Sequence, residues 1–247
     1  MTSDFQAGNY RFIPAVFQYS AGAAALPGYE IERVRFDKWL PLAEGFAAAA
    51  KYIGDAGRPL TSFCACELRS PAAFTDEGFR NFNQHYVKTL AEWGIYDGTT
   101  NPVARSNVCP EIDPPSEPSF YAFSFTRPSS ASPRSFVIAG SGEAQEGAAS
   151  YAERTVRYRD LSADGIAEKV RYVVGVMEKR MGEFGYGWKD ATATQTYTVH
   201  DFHPVFADAI VRHGAARGGL TWHFARPPVI DLEYEMDCRR VLRETVI

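Results

Sequence analysis

Three side chains with complementary chemistry stand in a row at Arg105, Ser106 and Asn107, inside the run NPVARSNVCPEIDPP. A guanidinium is planar, carries donors in a fork that matches a carboxylate in two places, and keeps its charge at any ordinary pH. Ser106 and Asn107 add a hydroxyl and a carboxamide that can bond substrate or water. Pro102 precedes the run, and Pro110, Pro114 and Pro115 follow it. Prolines cannot extend a hydrogen-bonded ladder, so 104–109 reads as a short strand with Arg105 near its start. By themselves the residues leave two roles open for Arg105: a clamp for a small carboxylate, or the structural partner of an acid at an interface.

Two acids are candidates for chemistry. Glu235 lies in the alternation LEYEMD, in which Leu232, Tyr234, Met236 and Cys238 face one way and Glu233, Glu235 and Asp237 the other. That acidic face is either solvated or the source of a functional carboxylate. Glu143 follows a Gly-Ser-Gly turn and is either a loop acid or the second candidate. Arg69, at the end of its strand, and Arg217 are further cations available to an anionic ligand. Other chemistries lack their spacing. The Gly-Ser-Gly is no G-x-G-x-x-G nucleotide loop, and AGSGE is no G-x-S-x-G elbow. His200 and His203 in HDFH have no carboxylate or cysteine at a ligand spacing. Cys64 and Cys66 stand two apart in a strand, so both are expected to face the same way as reduced, partly buried thiols.

The elements that must position these groups follow from periodicity. Residues 41–57 and 76–94 form apolar stripes at helical spacing, the second through Phe79, Phe82, Tyr86, Leu90 and Trp93. The segment 162–185 is the most regular helix, with Ile166, Val170, Val173, Val174, Met177, Met181 and Phe184 in one stripe and Ser162 as cap. A shorter helix is expected at 203–214. Strands are expected at 10–20, 28–36, 61–70, 104–109, 119–126, 135–142, 149–160, 191–200, 218–225 and 229–241. Ser119, Tyr121, Phe123 and Phe125 should share one face. The order β-β-α-β-α-β-β thus occurs twice, around the Pro- and Ser-rich linker RPSSASPRS. The expected organisation is a first unit at 1–127, a linker at 128–134 and a second unit at 135–247. Each unit is an α+β layer, a mixed or antiparallel sheet with helices on one face.

At 247 residues with 45% hydrophobic and 23% charged content, the chain has the composition of a soluble globular protein. A net charge of -4 gives no electrostatic reason to expect nucleic acid. No apolar run approaches the roughly 18–20 residues that cross a bilayer. The start, MTSDFQAGNYRF, lacks a basic segment followed by an apolar one, so a cytoplasmic location is expected.

With Arg105 on the strand after a second helix, PVARSNVCP, the turn FVIAGSGEAQEG and the alternation LEYEMD together resemble the Rid/YjgF superfamily of reactive-intermediate deaminases. More narrowly, FNQHYVKTLAEWGI followed by NPVARSNVCPE is similar to the two-unit 2-aminomuconate and 2-amino-5-chloromuconate deaminases of aromatic-compound catabolism. The resemblance implies tandem chorismate-mutase-like units and homo-oligomers, a trimer of two-unit chains or a multiple. It implies hydrolysis of an enamine or imine carboxylate with release of ammonia and a 2-oxo acid. No organic cofactor or metal is implied, because the imine is itself the electrophile. Arg105 would clamp the substrate carboxylate, helped by Ser106 and Asn107, with Arg69 or Arg217 for a second carboxylate. Glu143 or Glu235 would activate water and move the proton. The sequence departs from the pattern in two places. SFYAFSFT carries no glutamate, and Gly218, Gly219 and Leu220 stand where the second unit's arginine is expected. Each unit thus lacks half of a pair, and a site drawn from both units would be complete. A general scavenger of iminopyruvate-type imines and a non-catalytic small-carboxylate binding protein are the alternatives.

Overall fold

The computed structural model describes residues 1–131, 134–145 and 150–247. The linker 128–134, the turn at 136–147 and the segment 149–160 named above therefore fall in part outside the described residues. Three short strands open the chain: β1 (Ser3–Phe5), β2 (Tyr10–Ile13) and β3 (Gly22–Ala25). The first helix-bearing half follows as β4 (Tyr29–Pro41), α1 (Leu42–Asp55), β5 (Phe63–Arg69), α2 (Asp76–Glu92), β6 (Ala104–Pro110) and β7 (Ser119–Pro128). The second half runs β8 (Phe136–Gly142), α3 (Tyr151–Arg154), α4 (Ala163–Glu183), β9 (Ala193–Tyr197), α5 (His203–Val205), β10 (Leu220–His223), β11 (Ala225–Arg226), β12 (Glu235–Arg240) and β13 (Arg243–Val246).

Each long helix forms where an apolar stripe can be covered. The Thr75 hydroxyl caps α2 by accepting the Gly78 N–H, with Asp76 and Glu77 in the first turn. Ser162 caps α4 in the same way through Gly165, as its position predicts. Helices α1 and α2 cover a phenylalanine-rich face made by Phe63, Phe120, Phe123 and Phe125, with Phe46 and Tyr86 packed against it. Helix α4 lays Val170, Val173, Val174, Met177 and Met181 on Phe136, Ile138, Met236 and Cys238. Burying each such side chain contributes about 1.5–3 kcal/mol before conformational entropy is counted.

The fold is mixed α+β with two sheets, of order β11-β6-β5-β7-β4-β13 and β1-β2-β3-β8-β12-β9-β10. The sheets do not follow the sequence boundary. Strands β1 to β3 join the second half's sheet through the β3–β8 pairing, while β11 and β13 pair with β6 and β4 of the first half. Between the sheets lie the small apolar residues Ala23, Cys64, Ala65, Ala104 and Ala139, together with charged side chains that hydrogen-bond across the gap.

Several local expectations are corrected. From Ser150 the segment enters the short helix α3 instead of a strand, because Ser150 and Glu153 form a capping box. The helix at 203–214 is one short turn, α5, continued by a π turn over Phe206–Val211. In the last long strand, pairing begins only at Glu235, after Asp231 takes a left-handed φ of 67°. Cys64 and Cys66 face opposite ways, since a register shift between Phe63 and Ala65 reverses the alternation. Cys64 joins the inter-sheet cluster, whereas Cys66 Sγ lies 3.3 Å from Tyr86 Oη on the helix side. A second shift, between Glu67 and Leu68, turns Tyr121 away from Phe123 and toward Arg69.

Candidate active site

Strand β6 carries Arg105 into an aromatic cage. Its guanidinium carbon lies 4.7 Å from the Tyr86 ring centroid, 5.1 Å from Tyr19, 5.5 Å from Phe82 and 5.7 Å from Phe79. Three of those rings, Phe79, Phe82 and Tyr86, are on the helical stripe of α2 that periodicity predicts, and the strand after that helix brings the cation beneath them. Arg105 is 3% exposed, yet Nη1 and Nη2 have no hydrogen-bond partner among the described residues. A buried cation with unused donors is costly unless something anionic meets it.

The space beside it is a cavity of about 210 Å³ that also receives Asn107, Gly140, Ser141 and Glu235. Arg105 and Asn107 come from β6, and Glu235 from β12, so both halves of the chain build the site. Asn107 is buried; its Oδ1 accepts from the Ser70 hydroxyl at 2.9 Å while Nδ2 has no partner among the described residues. Glu235 is 4% exposed. Burial first, then repulsion by Asp237 and Glu143, hold its carboxyl well above the usual carboxylate range, against the pull of Arg180 and Arg105. The acidic face is therefore not solvated but turned inward. Burial also pushes the Tyr19 hydroxyl at the cavity wall up to about 12.

Gly140 permits the approach of β12. A Cβ at that position would overlap Glu235 Oε1 and lie 3.2 Å from the Ser106 Cα. Gly140→Ala is expected to push the Glu235 carboxyl aside and lower kcat by roughly 10–100-fold, because small displacements of groups that line a reaction cavity are costly. Steady-state kinetics beside an unfolding curve checks this.

The other sequence candidates lie elsewhere. Ser106 points between the sheets, donating to Asp237 Oδ2 at 2.7 Å and accepting the Gly140 N–H at 3.1 Å. Glu143 is fully buried against Lys169, with Nζ to Oε1 at 3.1 Å, and it accepts the N–H groups of Glu233 at 2.7 Å and Tyr234 at 3.2 Å. Its oxygens are engaged in fixing the approach to β12, which makes it an anchor of the chain path outside the cavity lining. Lys169→Met should destabilise the fold by about 3–5 kcal/mol, since it leaves that carboxyl buried without its cation. A lowered denaturant midpoint is the readout. Arg69 is buried between the sheets, 4.1 Å from the Tyr121 ring, with Nη1 donating to the Leu68 carbonyl. Burial and the Arg69 charge hold the neighbouring His223 down at about 4. Arg217 is exposed in the turn after the π segment. The two histidines of HDFH take separate partners, His200 with Glu233 and His203 with Asp201.

Sequence reasoning missed the cations that do line the cavity, Arg154 and Arg180, together with Gln18, Tyr19 and Tyr151. Arg180 donates to the carbonyl of Ala139 at 3.0 Å. A signal existed for it, because Lys169 and Arg180 stand three residues after Ile166 and Met177, on the apolar stripe of α4. A charge there must enter the core toward a partner or a ligand.

The family model described as 2-aminomuconate deaminase CnbZ matches residues 2–245. A 2-amino-5-chloromuconate deaminase of Comamonas testosteroni is 53% identical over 245 residues, covering 98% of both chains. A chorismatase crystal structure shares the fold, with a TM-score of 0.50 and 11% identity over 89% of this chain and 77% of that one. The YjgF protein of E. coli matches 44% of this chain and 81% of its own, with 16% identity and a TM-score of 0.33. The chain belongs to the 2-aminomuconate deaminase CnbZ family, a family of enzymes that act on C–N bonds.

Proposed function

We propose that this chain hydrolyses the enamine or imine group of 2-aminomuconate or 2-amino-5-chloromuconate, releasing ammonia and the 2-oxo acid. The observation that carries the reading is the buried Arg105 guanidinium, its terminal donors unused among the described residues, in one cavity with Glu235, whose carboxyl burial holds well above the usual carboxylate range. Arg105 takes the carboxylate beside the C–N bond, with Asn107 Nδ2 as a further donor. Glu235 enters as the acid and protonates the enamine carbon, which leaves the electrophilic C=N. Its carboxylate then takes a proton from water as the oxygen adds to the nitrogen-bearing carbon of the C=N, giving the carbinolamine. The carbinolamine collapses as Glu235 passes that proton to nitrogen, ammonia departs, and the hydroxyl proton returns to the Glu235 carboxylate as the C=O forms, which restores the acid. Arg154 and Arg180 on the same cavity favour a substrate with a second carboxylate.

The test is ammonia release, with the fall in substrate absorbance, when purified protein meets freshly generated 2-aminomuconate and, separately, iminopyruvate. Rapid turnover of the first with little of the second is expected. Preference for iminopyruvate, or silence on both, would overturn the reading. A homo-oligomer, a trimer of two-unit chains or a multiple, is the proposed assembly, and light scattering on the purified protein measures it.

A further inference from the structure

The Asp237 carboxylate has no place in the chemistry above, yet it is held in place by side chains of two other strands. It stands between the two sheets, 4% exposed, two residues from Glu235 on β12. Three side chains donate to it: Ser106 Oγ at 2.7 Å, Tyr197 Oη at 2.7 Å and Gln195 Nε2 at 3.0 Å. Ser106 follows Arg105 directly, and its Oγ also accepts the N–H of Gly140, the residue that Glu235 covers. One hydroxyl therefore ties together β6, β8 and β12, the three strands that supply the cation, the floor and the acid of the cavity.

We propose that Asp237 is a positioning residue for the deaminase reaction, holding Arg105 against Glu235 through Ser106 and acting by its charge on the proton that Glu235 transfers. Two like charges on one face of one strand, both out of water, cannot ionise independently. Repulsion by Asp237 follows burial as the second cause that raises the Glu235 carboxyl. The other groups that act on Glu235 are Arg105 on β6, Arg180 on α4 and Glu143 beyond β8, and it acts in turn on Cys109, Tyr19 and Tyr151. Those facing Asp237 are Glu67 on β5, Gln195 and Tyr197 on β9 and Arg239 on its own strand. The two arginines near Glu235 favour its ionised form, so Asp237 is the counterweight that opposes them.

The proposal rests on Glu235 acting as the acid, and the experiment separates the two. Rates with freshly generated 2-aminomuconate are measured against pH for the wild type, Glu235→Gln, Asp237→Asn and Ser106→Ala. A Glu235→Gln enzyme with full activity would overturn the reading of Glu235 itself, and the proposal with it. With that variant impaired, Asp237→Asn is expected to move the alkaline limb of kcat/KM toward lower pH by roughly 1–2 units, since Glu235 gives up its proton sooner without the charge beside it. Ser106→Ala keeps the charge and cuts the tie, so KM should rise roughly 10-fold while the limb stays in place. A merely structural Asp237 lowers activity at every pH and leaves the limb where it was, which overturns the proposal. If Asp237→Asn fails to fold, Ser106→Ala decides: an unchanged KM there overturns it as well.

Discussion

Arg105→Ala should abolish most turnover, with kcat/KM for 2-aminomuconate falling by roughly 10²–10⁴-fold. The side chain lost is a buried cation whose two terminal nitrogens have no hydrogen-bond partner among the described residues. Each hydrogen bond to a charged group contributes about 1.5–3 kcal/mol, and a two-pronged contact in a site shielded from water therefore about 3–5 kcal/mol. The fold should tolerate the change better than the chemistry does. No ion pair among the described residues is broken, and Tyr19, Phe79, Phe82 and Tyr86 keep their own contacts. Arg105→Lys should recover only a fraction, because an ammonium offers a point charge where the fork offers two aligned donors. Rates and unfolding midpoints measured on the same preparations check this. An alanine variant with wild-type kcat/KM would remove Arg105 from the mechanism.

Glu235→Gln should lower kcat by roughly 10²–10⁴-fold, the usual size of general acid–base catalysis, with a smaller effect on KM. It should also change how stability depends on pH, in a direction that burial fixes. A carboxyl raised by burial keeps its proton in the folded chain at pH values where the unfolded chain has released it. Its contribution is complete below about pH 4 and is lost as the pH climbs through the raised folded value. Glutamine has no proton to lose, so the denaturant midpoint of the variant should fall less steeply than that of the wild type as the pH rises above the ordinary carboxylate range. Some decline should persist, because Asp237 and Glu143 are also raised. A variant that loses activity but keeps the wild-type slope would mean that Glu235 is ionised throughout.

The sequence by itself determined the parts of this protein that depend on neighbours along the chain. Helix α4 was legible because an apolar side chain recurs on one face from Ile166 to Phe184, and Ser162 has the hydroxyl that its first turn needs. The strand bearing Arg105 was legible from the prolines around it, and the ARS and LEYEMD patterns marked both Arg105 and Glu235. The tertiary structure decided what depends on residues far apart. Which edge strands complete which sheet is such a matter, since β3 meets β8 across more than a hundred residues and no local pattern encodes the pairing. Two register shifts reversed Cys64 and Tyr121, because one extra residue in a strand turns every later side chain to the other face. The same non-locality separated the acids. Glu143 met Lys169 and became an anchor, whereas Glu235 came to rest over Gly140 beside Arg105. A carboxyl's role follows from the charges and the water around it, and in this fold those come from strands and helices that only packing brings together.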